Sequence, residues 1–74
     1  MDRSEFEKAK KIHCVGIGGI GISAVAQMLL SSGKEVSGSD AEESPITNEL
    51  KKQGAHILKG HHKENVLPGT DLVI

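Results

Sequence analysis

Apolar and polar residues follow one another along the chain in short blocks that predict an alternating order of strands and helices. Four apolar runs bounded by turn residues are typical of strands, and two segments between them carry apolar residues at helical spacing. The predicted strands cover residues 12–15, 35–39, 55–58 and 71–74, and the predicted helices cover residues 20–32 and 45–53. This alternation predicts an α/β fold, a Rossmann-like parallel sheet in the order 3-2-1-4 with flanking helices.

The last apolar run predicts an unfinished edge of the sheet. It reaches Ile74 with no turn residue or polar tail after it, so we expect the sheet to be truncated at strand four. An edge strand presents unpaired backbone groups to which a second chain can add. We therefore expect self-association through this exposed strand edge.

Turn and capping residues define the ends of both helices. Gly33 follows the first helix and Gly54 the second, and glycine readily adopts the left-handed conformation that ends a helix. Ser44 followed by Pro45 is typical of a helix N-terminus. In the first helix we expect one apolar stripe to face the sheet, between two flanking apolar residues. The stripe is Ile22, Val25, Ala26 and Leu29, and the flanking residues are Met28 and Leu30.

A glycine cluster joins the first strand to the first helix. Gly16, Gly18 and Gly21 fit the pattern G-x-G-x-x-G. In that pattern the first glycine permits a tight turn, the second lets the backbone approach a pyrophosphate, and the third lets the helix pack closely on the strand. An anion would then lie at the helix N-terminus, where backbone N–H groups lack intrahelical acceptors and the helix dipole is positive.

The same glycines do not form a triphosphate-binding P-loop. Gly16 and Gly21 have the P-loop spacing, and Ser23 stands where that loop has its magnesium-binding hydroxyl. The P-loop lysine, however, is replaced by Ile22, so no ammonium group would reach β- and γ-phosphates. The loop therefore favours a diphosphate held by backbone amides.

An acidic residue ends the second predicted strand. Asp40 lies nineteen residues after Gly21, where a dinucleotide-binding fold places the carboxylate that meets ribose hydroxyls. The alternative is that Asp40 caps the loop that follows. Gly38 and Ser39 are small residues just before it, and we expect them to leave room for a bulky ligand group at this strand end.

Composition argues against several classes of partner. Charged residues make up 26% of the chain but nearly cancel to a net charge of −1, so no surface for nucleic acid or an anionic membrane is predicted. No stretch approaches transmembrane length, residues 1–10 lack a signal-like apolar core, and Cys14 is the single cysteine. We expect a cytoplasmic protein with a buried, inert Cys14 thiol. Residues 1–10 are interpreted as a charged leader, either a frayed helical turn or disordered.

Histidine spacing does not predict a metal site. His61 and His62 are adjacent, which separates their side chains by about 100° on a helix and places them on opposite faces of a strand. His13 and His56 lie in different predicted strands and complete no tetrahedral ligand set. His61 follows the third strand near the ligand crevice, where it either contacts a base or ribose or is a solvated loop residue.

Several segments together resemble the amino-terminal domain of the bacterial Mur ligases. They are HCVGIGGIGIS at residues 13–23, EVSGSD at residues 35–40, and the GA and GHH sequences that begin at Gly54 and Gly60. The resemblance runs from residue 11 to residue 74, with Ile22 where the family usually has methionine. It implies that residues 11–74 are the N-terminal, Rossmann-like UDP-sugar-binding domain of a three-domain cytoplasmic ligase of peptidoglycan synthesis.

The reaction implied by this resemblance joins an amino acid to a sugar carboxylate. ATP and Mg²⁺ activate the carboxylate of UDP-N-acetylmuramic acid as an acyl phosphate, which the amino group of L-alanine attacks. The resemblance places no catalytic residue, ATP site or metal site in these residues, so the chain alone is expected to be inactive. It implies diphosphate contacts from residues 18–21 and Ser23, and a uridine contact from Asp40. The candidate substrate-binding residues are Gly18, Gly19, Ile20, Gly21, Ser23, Ser39, Asp40 and His61.

Two other functions stay open from the residues alone. A nicotinamide-dinucleotide (NAD) binding module of an oxidoreductase or regulatory domain shares the glycine pattern and the acid at the strand end. The second strand is poorer in apolar residues than a fully buried parallel strand of such a module, which favours the UDP-sugar hypothesis. The other alternative is a non-catalytic interaction module that binds neither ligand.

Overall fold

The computed structural model describes residues 7–60 and 66–74, which form a parallel sheet with two helices. In chain order the elements are β1 (Lys11–Val15), α1 (Ile20–Ser31), β2 (Glu35–Asp40), α2 (Pro45–Lys52), β3 (His56–Lys59) and β4 (Leu72–Val73). The strands pair in parallel in the order β3-β2-β1-β4. The predicted α/β class and strand order are confirmed. Within the described ranges, no helix is both long and apolar enough to cross a membrane.

Strand boundaries differ from the prediction where backbone pairing extends or shortens a strand. β2 continues to Asp40 because Asp40 pairs with Lys59, and this pairing also moves β3 one residue later than predicted. β4 is only two residues long, although the amides of Asp71 and Ile74 still donate to β1 carbonyl groups. β4 forms one edge of the sheet, as predicted. Self-association through that edge stays a prediction.

Both helices begin and end at the predicted signals. Gly33 and Gly54 have φ values of +82° and +111°, in the left-handed region that follows α1 and α2. At the start of α2, the Ser44 hydroxyl accepts a hydrogen bond of 3.2 Å from the Thr47 amide, and the Thr47 hydroxyl accepts one of 2.9 Å from the Ser44 amide. This reciprocal capping box satisfies two backbone donors and fixes the first turn of α2.

The hydrophobic core lies between the helices and the sheet. Ala26 and Leu29 of the predicted stripe are buried, and Met28 is 57% exposed rather than flanking the core as predicted. Met28 lies on the outer face of α1, where Ile20 is 87% exposed, and α1 contains no charged residue. The core residues are Ala9, Ile12, Cys14, Ile17, Ala26, Leu29, Val36, Leu50 and Ala55.

The side chain of Ile17 fills the space beside Gly38. Ile17 is fully buried, and a Cβ atom added to Gly38 would lie 2.6 Å from Ile17 Cβ and 2.8 Å from Ile17 Cγ2. The room that the sequence predicted at Gly38 for a ligand group is therefore occupied by the protein itself. Gly38 permits the turn after β1 to fold back over the end of β2.

A buried polar pair joins the two central strands. His13 and Ser37 are paired residues in the β1–β2 register, and 2.8 Å separates His13 Nδ1 from Ser37 Oγ. Both side chains are buried. The pair explains how β2 holds a polar residue in its interior without leaving a hydroxyl unsatisfied, because buried polar groups require hydrogen-bond partners.

Residues 7–10 are attached to the fold at two points. Ala9 is buried, and Lys34 Nζ donates to the carbonyl oxygens of Ala9 at 2.6 Å and Glu7 at 3.1 Å. On the other side, Asp71 Oδ2 accepts from the amides of Lys10 at 2.9 Å and Lys11 at 3.0 Å. This attachment was not predicted, since the sequence analysis placed residues 7–10 in the leader. Residues 1–6 lie outside the described part of the chain.

We expect the Asp71 carboxylate to stabilise the fold above about pH 4. The two backbone donors, first that of Lys10 and then that of Lys11, lower the pKa of Asp71 below its ordinary value of 3.8. The stabilisation is therefore fully present above that value and is lost as the pH falls through the lower pKa of the folded state. Urea unfolding of wild type and Asp71→Ala should give a lower midpoint for the variant at pH 7, and the difference should shrink towards pH 3. Glu43→Ala, which removes an exposed carboxylate from the loop before α2, is the matched control and should not show this trend.

We expect Gly38→Ala to destabilise the chain by about 1–3 kcal/mol, the usual result of overpacking a core. The added methyl group would overlap Ile17, which is packed in the core. Chemical unfolding measures the loss. In an Ile17→Gly background the same substitution should cost less, because no side-chain atom at position 17 is left to overlap the added methyl group. An equal cost in both backgrounds would show that Ile17 does not set the requirement for glycine at position 38.

Candidate functional site

The glycine turn after β1 is held against the end of β2 by backbone hydrogen bonds. The amides of Gly16 and Ile17 both donate to the carbonyl oxygen of Ser39, at 2.8 and 3.0 Å, and the Gly19 amide donates to the Gly16 carbonyl at 2.9 Å. Gly16 has φ +71°, so the predicted need for glycine at the tight turn is confirmed. The turn lies at the carboxyl edge of the parallel sheet, where open α/β sheets bind ligands.

Asp40 contacts this turn directly. Its Oδ2 atom accepts a hydrogen bond of 2.8 Å from the Gly18 amide, and its Oδ1 atom accepts one of 3.3 Å from the Glu42 amide. A Cβ atom on Gly18 would lie 2.8 Å from Asp40 Oδ2 and 3.0 Å from Thr47 Cγ2. Asp40 therefore lies beside the glycine turn. The atoms that approach Gly18 closely belong to the side chains of Asp40 and Thr47.

The first turn of α1 presents three amides that could hold an anion. Within residues 7–60 and 66–74, the N–H groups of Ile20, Gly21 and Ile22 have no hydrogen-bond acceptor, and the N-cap Gly19 supplies no side-chain cap. The first turn also contains no acidic residue. Amides and helix dipole therefore combine into a positive site for a phosphate-sized anion. The available donors lie at residues 20–22, because the Gly18 amide already donates to Asp40 and the Gly19 amide to the Gly16 carbonyl oxygen.

Gly21 is exposed at this helix start. A Cβ atom added there would meet no atom of the described residues within 4 Å. The expectation that the third glycine allows close packing of helix and strand is therefore wrong for this part of the chain. The position of its missing side chain is open space at the start of α1.

The two serines predicted to contact the ligand, Ser23 and Ser39, are buried in the protein. Ser23 is buried and its hydroxyl donates to the Ile20 carbonyl oxygen at 3.1 Å, one turn back along the helix. Ser39 is buried beneath the glycine turn, where its carbonyl oxygen accepts the two turn amides. Neither hydroxyl lines the exposed helix start in this structure. His61 lies outside the described residues.

No metal or thiol chemistry appears among the described residues. Burial raises the pKa of the Cys14 thiol from 9.0 to about 11, which keeps it protonated and unreactive near neutral pH. In residues 7–60 and 66–74, no group of three His, Cys, Asp or Glu side chains could hold a metal ion. What the site offers is hydrogen-bond donation to an anion.

The cavities do not enclose this site. A cavity of about 410 Å³ lies at the amino ends of the strands, lined among others by Lys34, Glu35 and His56. A second cavity, beside Asp40 and Lys59, measures about 90 Å³, well below the roughly 300–1,000 Å³ of small-molecule sites. We place the candidate site at the carboxyl edge, despite the smaller cavity, because the free amides and the glycine turn are there. It is an open edge and not a closed pocket.

Known proteins resemble this chain in both sequence and fold. A profile of the Mur ligase family, catalytic domain, matches residues 11–74. The UDP-N-acetylmuramate–L-alanine ligase of Clostridium perfringens is 52% identical over 65 residues, which cover 88% of this chain and 14% of that protein. The enzyme of the same name from Campylobacter jejuni is 54% identical over 65 residues, covering 88% of this chain and 15% of that protein.

A solved structure extends the likeness to three dimensions. The crystal structure of a murein peptide ligase from Psychrobacter arcticus superposes with a TM-score of 0.82 and 32% sequence identity, over 88% of this chain and 14% of that chain. The present chain thus spans 14–15% of the length of these relatives. The family profile covers most of the chain, and the glycine turn and Asp40 lie inside the matched range. The chain belongs to the Mur ligase family.

Proposed function

We propose that this chain is the UDP-N-acetylmuramate-binding part of a cytoplasmic UDP-N-acetylmuramate–L-alanine ligase that acts in peptidoglycan synthesis. The diphosphate of UDP-N-acetylmuramic acid lies at the start of α1, and the nucleoside extends along the carboxyl edge of the sheet. The observation that carries the proposal is the set of free amides of Ile20, Gly21 and Ile22, beside the open space at the Cβ position of Gly21. The similarity to two UDP-N-acetylmuramate–L-alanine ligases supports the choice of sugar nucleotide.

The chemistry of ligation is assigned to the remainder of a longer protein. In the parent enzyme, ATP and Mg²⁺ activate the sugar carboxylate and L-alanine attacks it. The described residues fit neither group, because the glycine turn has Ile22 in place of a P-loop lysine and no metal-capable cluster is found among them. We therefore expect this chain alone to bind the sugar nucleotide without ligating it. The chain spans only 14–15% of the length of the relatives, which leaves most of such a protein to carry the ligation chemistry.

The proposed contacts differ in how directly they meet the ligand. Ile20 and Gly21 donate their amides to the diphosphate, and residues 18–19 shape the turn that precedes them. Ser23 and Ser39 support the helix start and the turn from beneath, since both are buried. His61 follows β3 at the same edge of the sheet and is retained as a proposed contact to the nucleoside.

NAD binding is the second candidate function. The glycine pattern and the acid at the end of β2 are shared with NAD-binding modules. In such modules the carboxylate meets ribose hydroxyls, whereas here Asp40 accepts two backbone amides and lies against Gly18. The family match favours the sugar nucleotide. So does the space beside Gly18, which the side chains of Asp40 and Thr47 already fill.

We expect saturable binding of UDP-N-acetylmuramate, with amide shifts at residues 20–22, and no saturable binding of NADH. The reason is that three amides can donate to the diphosphate, whereas the Asp40 carboxylate that would meet the NAD ribose already accepts from the amides of Gly18 and Glu42. Calorimetric titration and ¹⁵N amide spectra measure the two ligands on the same sample. Binding of NADH without a response to UDP-N-acetylmuramate would reverse the assignment.

We expect Gly21→Ala to bind the ligand about tenfold more weakly, which corresponds to roughly 1.4 kcal/mol. The added methyl group would stand in front of the free amides and meets no described atom of the protein. Folding should not suffer, because alanine replaces glycine in a helix at a gain of up to about 1 kcal/mol. Thermal unfolding and titration separate the two effects. Gln27→Ala, further along the same exposed face of α1, should leave both unchanged.

A further inference from the structure

We propose that Asp40 is a positioning residue, which holds the glycine turn in the shape that presents the amides of residues 20–22 to the diphosphate. It acts on the phosphates through Gly18 and not by contact with the nucleoside. This inference rests on the proposed function for its ligand. It differs from the expectation, drawn from spacing, that Asp40 grips the uridine.

The backbone of Asp40 is fixed on both sides. It is the last residue of β2, it pairs with Lys59 of β3, and its carbonyl oxygen accepts the Gly60 amide at 2.8 Å. The preceding residue, Ser39, holds the amides of Gly16 and Ile17. The carboxylate therefore starts from a rigid strand end beside the turn, so its bond to Gly18 constrains the turn and not the strand.

The side chain of Asp40 is engaged by backbone donors on both oxygens. Oδ2 accepts the Gly18 amide at 2.8 Å and Oδ1 accepts the Glu42 amide at 3.3 Å. A hydrogen bond to a charged acceptor is stronger than one to a neutral acceptor. A ribose diol would have to compete with these donors for the same oxygens.

Thr47 closes the space on the other side of Gly18. Its methyl carbon would lie 3.0 Å from a Cβ at position 18, and the residue is buried. The capping box with Ser44 holds Thr47, and its hydroxyl also donates to the Ser44 carbonyl at 3.0 Å. Gly18 is thus confined between the carboxylate of Asp40 and the first turn of α2. This confinement fixes the backbone immediately before the start of α1.

The positioning role of Asp40 can be distinguished from a nucleoside contact by comparing two ligands that share only the phosphates. Wild type, Asp40→Ala and Asp40→Asn are titrated with inorganic pyrophosphate and with UDP. Asp40→Ala should weaken both ligands by the same factor, about tenfold or more for the loss of one charge-assisted hydrogen bond. Asp40→Asn should stay within about threefold of wild type, because its amide oxygen can still accept from Gly18.

The matched control is Glu42→Ala, which removes a neighbouring negative charge but keeps the backbone amide that Asp40 accepts. It measures how far loss of charge alone strengthens anion binding. If Asp40→Ala weakens UDP while pyrophosphate binding is unchanged, Asp40 contacts the nucleoside and the inference is wrong.

Hydrogen exchange supplies a readout that needs no ligand. The Gly18 amide should be protected in wild type and Asp40→Asn, and it should exchange much faster in Asp40→Ala while amides of β1 stay protected. Fast exchange of the Gly18 amide in wild type would overturn the inference. If Asp40→Ala fails to fold, Gly18→Ala, whose methyl group displaces the carboxylate, takes its place in both measurements. Absence of UDP and pyrophosphate binding in wild type would count against the proposed function, and the exchange data would still decide the role of Asp40.

Discussion

The attachment of the glycine turn to the end of β2 is the constraint on which the rest of the structure depends. Three successive turn amides, those of Gly16, Ile17 and Gly18, donate to acceptors on Ser39 and Asp40. They fix where α1 begins and in which direction it leaves the sheet. Because α1 leaves in that direction, its inner face reaches the core and its first three amides face outwards. The packing of α1 and the exposure of its first amides are thus set by the same few hydrogen bonds.

This constraint also explains the composition of β2. The strand reads Glu-Val-Ser-Gly-Ser-Asp, which is polar for a central parallel strand. Gly38 is needed so that Ile17 can fold back over it, and Ser37 pairs with the buried His13. The low apolar content of β2 therefore has causes inside the protein. It therefore does not distinguish a sugar nucleotide from NAD.

The glycine pattern combines different physical requirements in one short sequence. Gly16 is required by a positive φ, and Gly18 by the approach of Asp40 and Thr47. Neither requirement involves a ligand. Gly21 meets no described atom, so the structure of the described residues gives no packing reason for glycine there. A ligand in front of the amides would supply one, which makes Gly21 the member of the pattern whose presence bears most directly on function.

Much of the fold could be predicted from the sequence because its signals are local. The helices were predicted from apolar periodicity and from three end signals, namely Gly33, Gly54 and the Ser44–Pro45 start. The strand order was predicted from the alternation of strands and helices. Spacing also placed Asp40 beside the glycine turn. The sequence could not show that its carboxylate would turn onto Gly18, because that depends on Thr47 and on packing between segments more than twenty residues apart. For the same reason the sequence did not predict the hydrogen bonds from Lys34 to Ala9 and from the Lys10 amide to Asp71. The two residues of each pair lie far apart along the chain.

A carboxylate beside an anion site looks unfavourable, and magnitudes decide whether it is. Two unit charges 4 Å apart repel by about 1 kcal/mol in water, and salt reduces this further at an exposed edge. Against this stand the helix dipole, worth about 0.3–1 kcal/mol, and hydrogen bonds from free amides, each worth about 1.5–3 kcal/mol with a charged acceptor. Asp40 also receives two amides, which draw its charge towards the turn. On these magnitudes the free amides and the helix dipole outweigh the repulsion, so a carboxylate at position 40 is compatible with an anion at the start of α1.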